Sequence, residues 1–264
     1  MFNTGVGYNA GGVLTVGIRN TLIGGLTGAS LTEGHYNVAV GYGALDADTK
    51  GQSNVAIGYN ALSTQNFTSA TDAYNVAVGL SAGLSVTTGT HNTFIGGLSG
   101  DANTTGYYNV AVGASALGAN TTAINNTALG YGALAASTTG ASNVAVGANA
   151  LDANTTGTFN IAIGHSALGT EDTGSRNVAV GHEALLTQNS DTTNYNTAVG
   201  HHAGRGITTG INNTLIGALA GDALTDADAN VAVGQSALTT DTKGSKNTAV
   251  GHSALEAQNF TTST

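Results

Sequence analysis

The sequence predicts an all-β protein, a parallel β-solenoid of about fifteen coils with 17 residues each. Three observations predict it: a short motif that recurs along the whole chain, β-branched residues inside that motif, and turn-forming residues that flank it. The motif is Asn, then Val, Ile or Thr, a small residue, an aliphatic residue and Gly, as in residues 37–41. A fixed period over a whole chain is the signature of repeat architectures, in which each repeat packs only on its neighbours.

The Asn that opens each motif defines position 1 of a coil and sets the period. Twelve of the fourteen spacings are 17 residues, while Asn54 to Asn75 spans 21 and Asn177 to Asn196 spans 19. We expect these side chains to stack as an amide ladder, which stabilises in-register β stacks. The fifteen residues are Asn3, Asn20, Asn37, Asn54, Asn75, Asn92, Asn109, Asn126, Asn143, Asn160, Asn177, Asn196, Asn213, Asn230 and Asn247.

Positions 2 to 4 predict a short strand, because positions 2 and 4 are mostly β-branched. Side chains alternate along a strand, so position 3 faces away from positions 2 and 4. Position 3 is usually Ala, but three coils carry Leu22, Phe94 or Leu215 there. Both faces are therefore apolar, and we expect one to meet the core and the other to meet a second chain. Leu22, Phe94 and Leu215 are the residues expected at that oligomer interface.

The rest of the coil predicts turns around a thin core. Position 5 is Gly in all fifteen coils, which indicates a positive φ or a close approach of backbones. Position 9 is Leu in nine coils and supplies a second core residue, while Thr at position 13 and Gly at position 15 indicate another turn. Helix is disfavoured, since each interior Gly costs about 1 kcal/mol relative to Ala.

A slower repeat is superimposed on the 17-residue period. In three pairs of adjacent coils, Gly replaces Leu at position 9 of both coils. The first coil of each pair has an apolar residue at position 12, and the second has the large residue at position 3. This pattern predicts that apolar volume moves within the core rather than disappears. The last coil carries the Gln-Asn of the two long coils, so we expect residues 1–264 to be one repetitive segment of a longer fibre.

Composition excludes several classes of function. Charged residues are 8% of the chain, against about 25% in average proteins, and Pro and Cys are absent. The net charge of −9 without a basic cluster argues against nucleic-acid binding. No apolar run approaches the ~18 residues of a membrane span, and no signal peptide precedes the first repeat. No catalytic constellation or phosphate loop stands out, so we expect neither an enzyme nor a cofactor.

The motif Asn-Val-Ala-Val-Gly-x-x-Ala-Leu resembles the head repeats of trimeric autotransporter adhesins. It is still more similar to the arrays of phage tail-fibre-like proteins, most closely at residues 126–134 and 196–200. The resemblance covers nearly the whole chain, although adhesin-head coils have about 14 residues. It implies a homotrimer of left-handed parallel β-rolls, an extracellular location on a virion or a cell surface, and a cell-surface glycan or protein as receptor.

Position 6 and the long coils supply the candidate contact residues. These residues are Tyr42, Tyr59, Tyr131, His165, His182, His201, Phe67 and Phe260. Three consecutive coils place His165, His182 and His201 about 5 Å apart, a column that could bind a transition metal. We favour a solvent-facing turn column without metal. We likewise interpret the turn Asp residues as solubilising groups rather than calcium ligands, since the calcium-binding nonapeptide is missing.

The predicted function is therefore structural: the shaft or head of an extracellular fibre that presents repeated, weak binding columns. A subunit that assembles end to end into a filament through its edge strands is the alternative. Ice binding through the Thr ladder is a third, less favoured interpretation, because adjacent Thr residues such as Thr104 and Thr105 cannot both point outward.

Overall fold

The computed structural model describes residues 2–260 and 262, and it confirms the predicted fold class. Parallel strands follow one another at the predicted period and form a β-solenoid. The chain divides into two compact units, one up to Tyr131 and one from Gly132. Among the residues that the structure describes, no helix is long and apolar enough to cross a membrane.

The first unit contains ten strands, of which eight form one parallel sheet with one strand from each coil. Successive motifs pair in register, for example Val38 with Val55 and Ala39 with Ala56. The remaining two strands, β4 and β6, pair with each other beside the 21-residue coil. The strands are β1 (Thr4–Val6), β2 (Thr21–Ile23), β3 (Val38–Val40), β4 (Gly51–Gln52), β5 (Val55–Ile57), β6 (Thr71–Asp72), β7 (Val76–Val78), β8 (Thr93–Ile95), β9 (Val110–Val112) and β10 (Thr127–Leu129).

The second unit repeats this arrangement with seven parallel strands. Their pairing is again in register, for example Ala162 with Ala179. The 19-residue coil adds an isolated parallel bridge between Ser175 and Thr193. The strands are β11 (Val144–Val146), β12 (Ile161–Ile163), β13 (Val178–Val180), β14 (Thr197–Val199), β15 (Thr214–Ile216), β16 (Val231–Val233) and β17 (Thr248–Val250).

The predicted Asn ladder is confirmed. The backbone amide of Asn37 donates to Oδ1 of Asn20 at 2.9 Å, and its Nδ2 donates to the same oxygen at 3.2 Å and to the carbonyl of Gly51 at 2.9 Å. Asn177 repeats the first two bonds on Asn160 in the second unit. Each buried amide thus joins its own coil to the preceding one and closes its own turn.

Glycine at position 5 is required by both conditions that the sequence indicates. Gly41 has φ +129°, and a Cβ placed on it would lie 2.4 Å from the carbonyl oxygen of Gly58 in the next coil. Any larger residue would push neighbouring coils apart along the sheet.

The expectation that Leu22, Phe94 and Leu215 lie at an oligomer interface is wrong. Leu22 is 1% exposed, and Phe94 and Leu215 are completely buried inside their own chain. Position 3 faces the core, where the Gly residues at position 9 leave room for a large side chain. Cβ atoms on Gly83 and Gly100 would lie 2.9 and 2.4 Å from the ring of Phe94, so the ring fills the space of two missing leucines.

We call a coil with Ala at position 3 and Leu at position 9 a standard coil, and one with a large residue at position 3 and Gly at position 9 an exchanged coil. The exchanged coils are residues 20–36, 92–108 and 213–229. Leu22 and Leu215 fill their coils as Phe94 does, since a Cβ on either of two position-9 glycines would lie within 3.1 Å of each leucine side chain. The predicted redistribution of apolar volume is confirmed.

The leucines at position 9 adopt a backbone conformation that the sequence does not suggest. Leu45 and Leu151 have φ values of +54° and +52°, a left-handed conformation that costs about 1–2 kcal/mol for an L residue. Both side chains are fully buried, and burial of a leucine contributes about 1.5–3 kcal/mol. Burial therefore offsets the backbone cost.

Candidate interaction surfaces

The outward face of each sheet is formed by positions 2 and 4. Within the first unit, Ile57 and Ile95 are 37% and 39% exposed, and within the second unit Ile163 is 39% exposed. These residues lie inside their units, so the exposure does not come from an end coil. In-register pairing aligns position 4 into one continuous aliphatic row per unit and position 2 into a row of Val, Ile and Thr. We call these rows the aliphatic face.

The tyrosines predicted at position 6 are on the surface. Tyr42 and Tyr59 stack with their ring centroids 5.7 Å apart and an interplanar angle of 12°. Tyr131 is also exposed. Consecutive coils thus present flat aromatic surfaces in one column.

The predicted histidine column exists in the second unit. His165, His182 and His201 are exposed and stack with centroid separations of 5.4 and 5.3 Å. The sequence did not identify His202 as their neighbour, although its ring lies 3.7 Å from the ring of His201 and 5.4 Å from that of His182.

Charged groups surround His202. Its Nε2 lies 3.1 Å from Glu183, whose carboxylate also lies 3.8 Å from Arg205. Partial burial, His201 and Arg205 lower the pKa of His202 further than Glu183 raises it. Its neutral form, which can bind a metal, is therefore favoured at neutral pH.

The two phenylalanines predicted as surface contacts differ. Phe260 is 41% exposed, but Phe67 is only 6% exposed, so the prediction is wrong for Phe67. The backbone holds Phe67 between two coils: its amide donates to Asp48, and the neighbouring amide of Asn66 donates to the carbonyl of Thr87.

The coil before each long coil contains a buried carboxylate, and a glutamine of the long coil joins it to the Asn ladder. In the first unit, Gln65 donates to Oδ2 of Asp48 at 2.7 Å and accepts from Nδ2 of Asn75 at 2.8 Å. Glu171, Gln188 and Asn196 make the same two bonds in the second unit, both at 2.8 Å. These acids are therefore bound by the protein itself and have a structural role.

A further exposed column was missed in the sequence. From Arg19 to Lys246, the residue directly before each motif has a left-handed φ of 49–63°. Nine of the fourteen residues at this position, from Arg19 to Lys246, are aromatic or basic. The rings of Tyr74, His91 and Tyr108 pack at a tilt, with centroids 5.2 and 5.0 Å apart, and Arg176 lies between the rings of Phe159 and Tyr195 at 5.6 and 5.7 Å. The signal was available, because these side chains recur immediately before the motif Asn.

Groups of metal-ligating side chains were compared over residues 2–260 and 262. In this range one group of three or more brings its ligand atoms together, namely His182, His201 and His202. The turn Asp residues form no such group among these residues.

Comparisons with known proteins add no assignment. The sequence matches no protein-family model, and no curated protein or solved structure matches it.

Proposed function

We propose that this chain is a structural segment of an extracellular fibre, such as a phage tail fibre or a surface adhesin, and that it associates with copies of itself through the aliphatic face. The observation that carries this proposal is the exposure of Ile57, Ile95 and Ile163 in the interior of their units. Exposed apolar patches of this extent mark association surfaces in soluble proteins.

The area of the aliphatic face suits a stable interface. With one aliphatic residue at position 4 and a Val, Ile or Thr at position 2 of each coil, at roughly 50 Å² each, a unit of eight coils offers about 800 Å², which is the area that one partner contributes to a standard interface. A second copy of the same chain is the natural occupant, because its coils have the same spacing and the same aliphatic rows. Closed cyclic symmetry would cover the face on every chain, and the family resemblance suggests three chains.

The exposed aromatic columns support a role in adhesion. Tyr42 with Tyr59, and Tyr74 with His91 and Tyr108, present rings at successive coils. Sites repeated along one surface can bind a glycan or a protein receptor through many weak contacts, which together give high avidity. This arrangement agrees with a location on the outside of a virion or cell.

The mass of the purified chain in solution tests the proposal, and light scattering after size-exclusion chromatography measures it. We expect a mass near three times 25.9 kDa. The double variant Ile57→Lys/Ile163→Lys places one charge on the aliphatic face of each unit and should shift the protein to the monomer. Both residues are partly exposed, so the fold should persist, as circular dichroism can verify.

Thr88→Lys/Thr156→Lys is the matched control, since it adds the same charges at exposed turn residues and should leave the mass unchanged. A monomeric wild-type chain would contradict the proposal. Growth in mass with concentration that the charged aliphatic face does not prevent would instead support end-to-end filament assembly.

The Thr ladder gives less support to ice binding. Oγ1 of Thr104 donates to the carbonyl of Thr121 at 2.9 Å, and Thr155 donates in the same way to Asp172 at 3.0 Å. These hydroxyl protons are used between coils, and a thermal-hysteresis measurement is expected to show no effect.

A further inference from the structure

Three imidazoles converge on one surface of the second unit. The ligating nitrogens of His182, His201 and His202 all lie within 4.8 Å of one another, and the first two side chains are exposed while the third is half-buried. Two features of the fold produce this cluster. The coil spacing places His182 beside His201, and the left-handed turn at His202, with φ +58°, holds its ring against both.

We propose that His182, His201 and His202 form a binding site for one divalent transition-metal ion, such as Zn²⁺ or Cu²⁺. Imidazole is a preferred ligand of both ions. Three histidines with one open position form a known type of zinc site. The site does not depend on the proposed fibre function, because all three ligands belong to one chain.

The geometry needs only a small adjustment to bind an ion. Zn–N bonds of about 2.0–2.1 Å in a tetrahedron place two nitrogens about 3.3 Å apart, so separations of up to 4.8 Å must close by about 1.5 Å or less. His182 and His201 are exposed and can make this movement by side-chain rotation. His202 is the more fixed ligand, since its backbone conformation and its contacts restrict it.

Glu183 supplies the outer partner that such sites usually have. Its carboxylate lies 3.1 Å from Nε2 of His202 and 3.9 Å from Nε2 of His182. A carboxylate that accepts from a ligating imidazole orients the ring and raises its basicity. Its negative charge also offsets Arg205, whose guanidinium lies 3.8 Å from Glu183 and would otherwise oppose a bound cation.

Titration of the full-length, tag-free chain with Zn²⁺ in a calorimeter tests the site at pH 7.5. We expect one ion per chain. His201→Ala and His202→Asn should each weaken binding by at least tenfold, a loss that removal of an outer partner alone often produces. Asn is chosen at His202 because it tolerates a left-handed backbone.

Two variants serve as matched controls. His252→Ala removes an exposed histidine from the same position of another coil, and His165→Ala removes the outer member of the stack; both should bind Zn²⁺ as the wild type does. A second measurement uses Cu²⁺ and electron paramagnetic resonance, where nitrogen hyperfine coupling should decrease in His201→Ala. Equal binding by wild type and His201→Ala, or an equal loss in His252→Ala, would overturn the proposal.

Arg205→Gln adds a test with the opposite sign. Removal of this cation should tighten Zn²⁺ binding, because the charge that opposes the ion is lost while all three ligands remain. Weaker binding by this variant would show that the ion is not held beside Glu183.

Discussion

Two adjacent coils of the first unit, residues 92–108 and 109–125, reach the same backbone with different cores. In the exchanged coil, Phe94 fills the interior and position 9 is Gly100 with φ +56°. In the standard coil, Ala111 takes the place of Phe94, and Leu117 occupies position 9 with φ +53°. The backbone at position 9 is therefore left-handed in both coils, whether the residue is Gly or Leu.

This difference shows that the solenoid conserves its core volume locally rather than residue by residue. Glycine avoids the cost of the left-handed conformation at position 9 but leaves a space, which the large residue at position 3 fills together with the position-12 side chain of the first coil in each pair. The side-chain volumes at positions 3 and 9 therefore depend on each other. A substitution at one position alone creates either a cavity or a clash in the core.

Truncation of the aromatic core residue should have the largest effect. Phe94→Ala leaves the space of two absent leucines empty, and we expect a loss of about 3–5 kcal/mol in the free energy of unfolding. Guanidinium denaturation followed by circular dichroism measures it, and hydrogen exchange locates the affected coils.

The double variant Phe94→Ala/Gly100→Leu recreates the standard coil and tests the exchange directly. Gly100→Leu alone should cost about 1–3 kcal/mol, because its Cβ would meet the ring of Phe94. The double variant should lose about 2 kcal/mol less than the sum of the losses in the two single variants, as expected for residues in direct contact. Additive losses would contradict a shared core space. The remaining deficit should reflect the space above Gly83, which stays empty.

The Asn ladder should respond almost equally in both coil types, because the same two short bonds recur in each; Asn92 adds one longer bond, from Nδ2 to Oδ1 of Asn75 at 3.3 Å. Asn92 donates to the carbonyl of Gly106 and accepts from the amide of Asn109, at 2.9 and 3.0 Å. Asn109 makes the matching bonds to Ala123 and Asn126 at the same distances. Asn92→Ala and Asn109→Ala should each lose about 3 kcal/mol, since buried partners are left unsatisfied.

A clear difference between these two variants in denaturant unfolding would show that the exchanged core also alters the ladder. Asn92→Asp is a useful companion, because it keeps the acceptor and removes the amide group that donates to Gly106 and Asn75. Its loss should be smaller than that of Asn92→Ala at low pH, where the carboxyl is neutral.

A smaller, pH-dependent effect on stability is expected at position 12. This position is Leu31 in the coil of residues 20–36 and Asp48 in the next coil. Burial raises the pKa of Asp48 more than the hydrogen bonds from Gln65, Gly51 and Phe67 lower it. The folded chain therefore holds this proton to a higher pH than the unfolded chain. The free energy of unfolding should fall as pH rises from the unfolded value, about 3.9, through the raised folded value.

Asp48→Asn lacks this titration, so the stability of the wild type relative to the variant should decline over that pH range, as thermal unfolding at a series of pH values can measure. Asp226→Asn is a control of opposite sign. Slight burial raises the pKa of Asp226, but bonds from its own amide, Lys243 and Thr225 lower it further. For this residue, the free energy of unfolding of the wild type should increase relative to that of Asp226→Asn as pH rises. If the wild type instead became more stable relative to Asp48→Asn as pH rises, the hydrogen bonds to Asp48 would lower its pKa more than burial raises it.

The period, the strand positions, the Asn ladder and the strained glycine at position 5 could all be predicted from the sequence. Each follows from a local rule, namely alternation along a strand or the absence of a Cβ. The inward direction of position 3 could not be derived from alternation, because both faces are apolar. The pairing of Phe94 with Gly100 in one coil did contain the answer, since compensating volumes indicate a shared core.

The candidate site was predicted less completely. The column of His165, His182 and His201 follows from the period, but the approach of His202 depends on a left-handed turn at a non-glycine residue. Phe67 was misplaced because it belongs to the 21-residue coil, whose added residues the 17-residue period does not describe; Phe260 makes the matching amide bond, to Asp241, but stays exposed. The left-handed turn at position 7 recurs in every coil but carries a histidine only at His202, whereas Phe67 lies where the repeat is interrupted.

The exchange between positions 3 and 9 also constrains how the gene can change length. Removal of one standard coil, as in-frame recombination between repeats would produce, joins neighbours with matching backbones and matching cores. Removal of residues 92–108 alone would leave Gly83 without the ring that covers it, whereas loss of both coils of the pair restores two standard neighbours. Recombination that keeps the protein stable should therefore remove or add standard coils one at a time, and exchanged coils only together with the coil that precedes them.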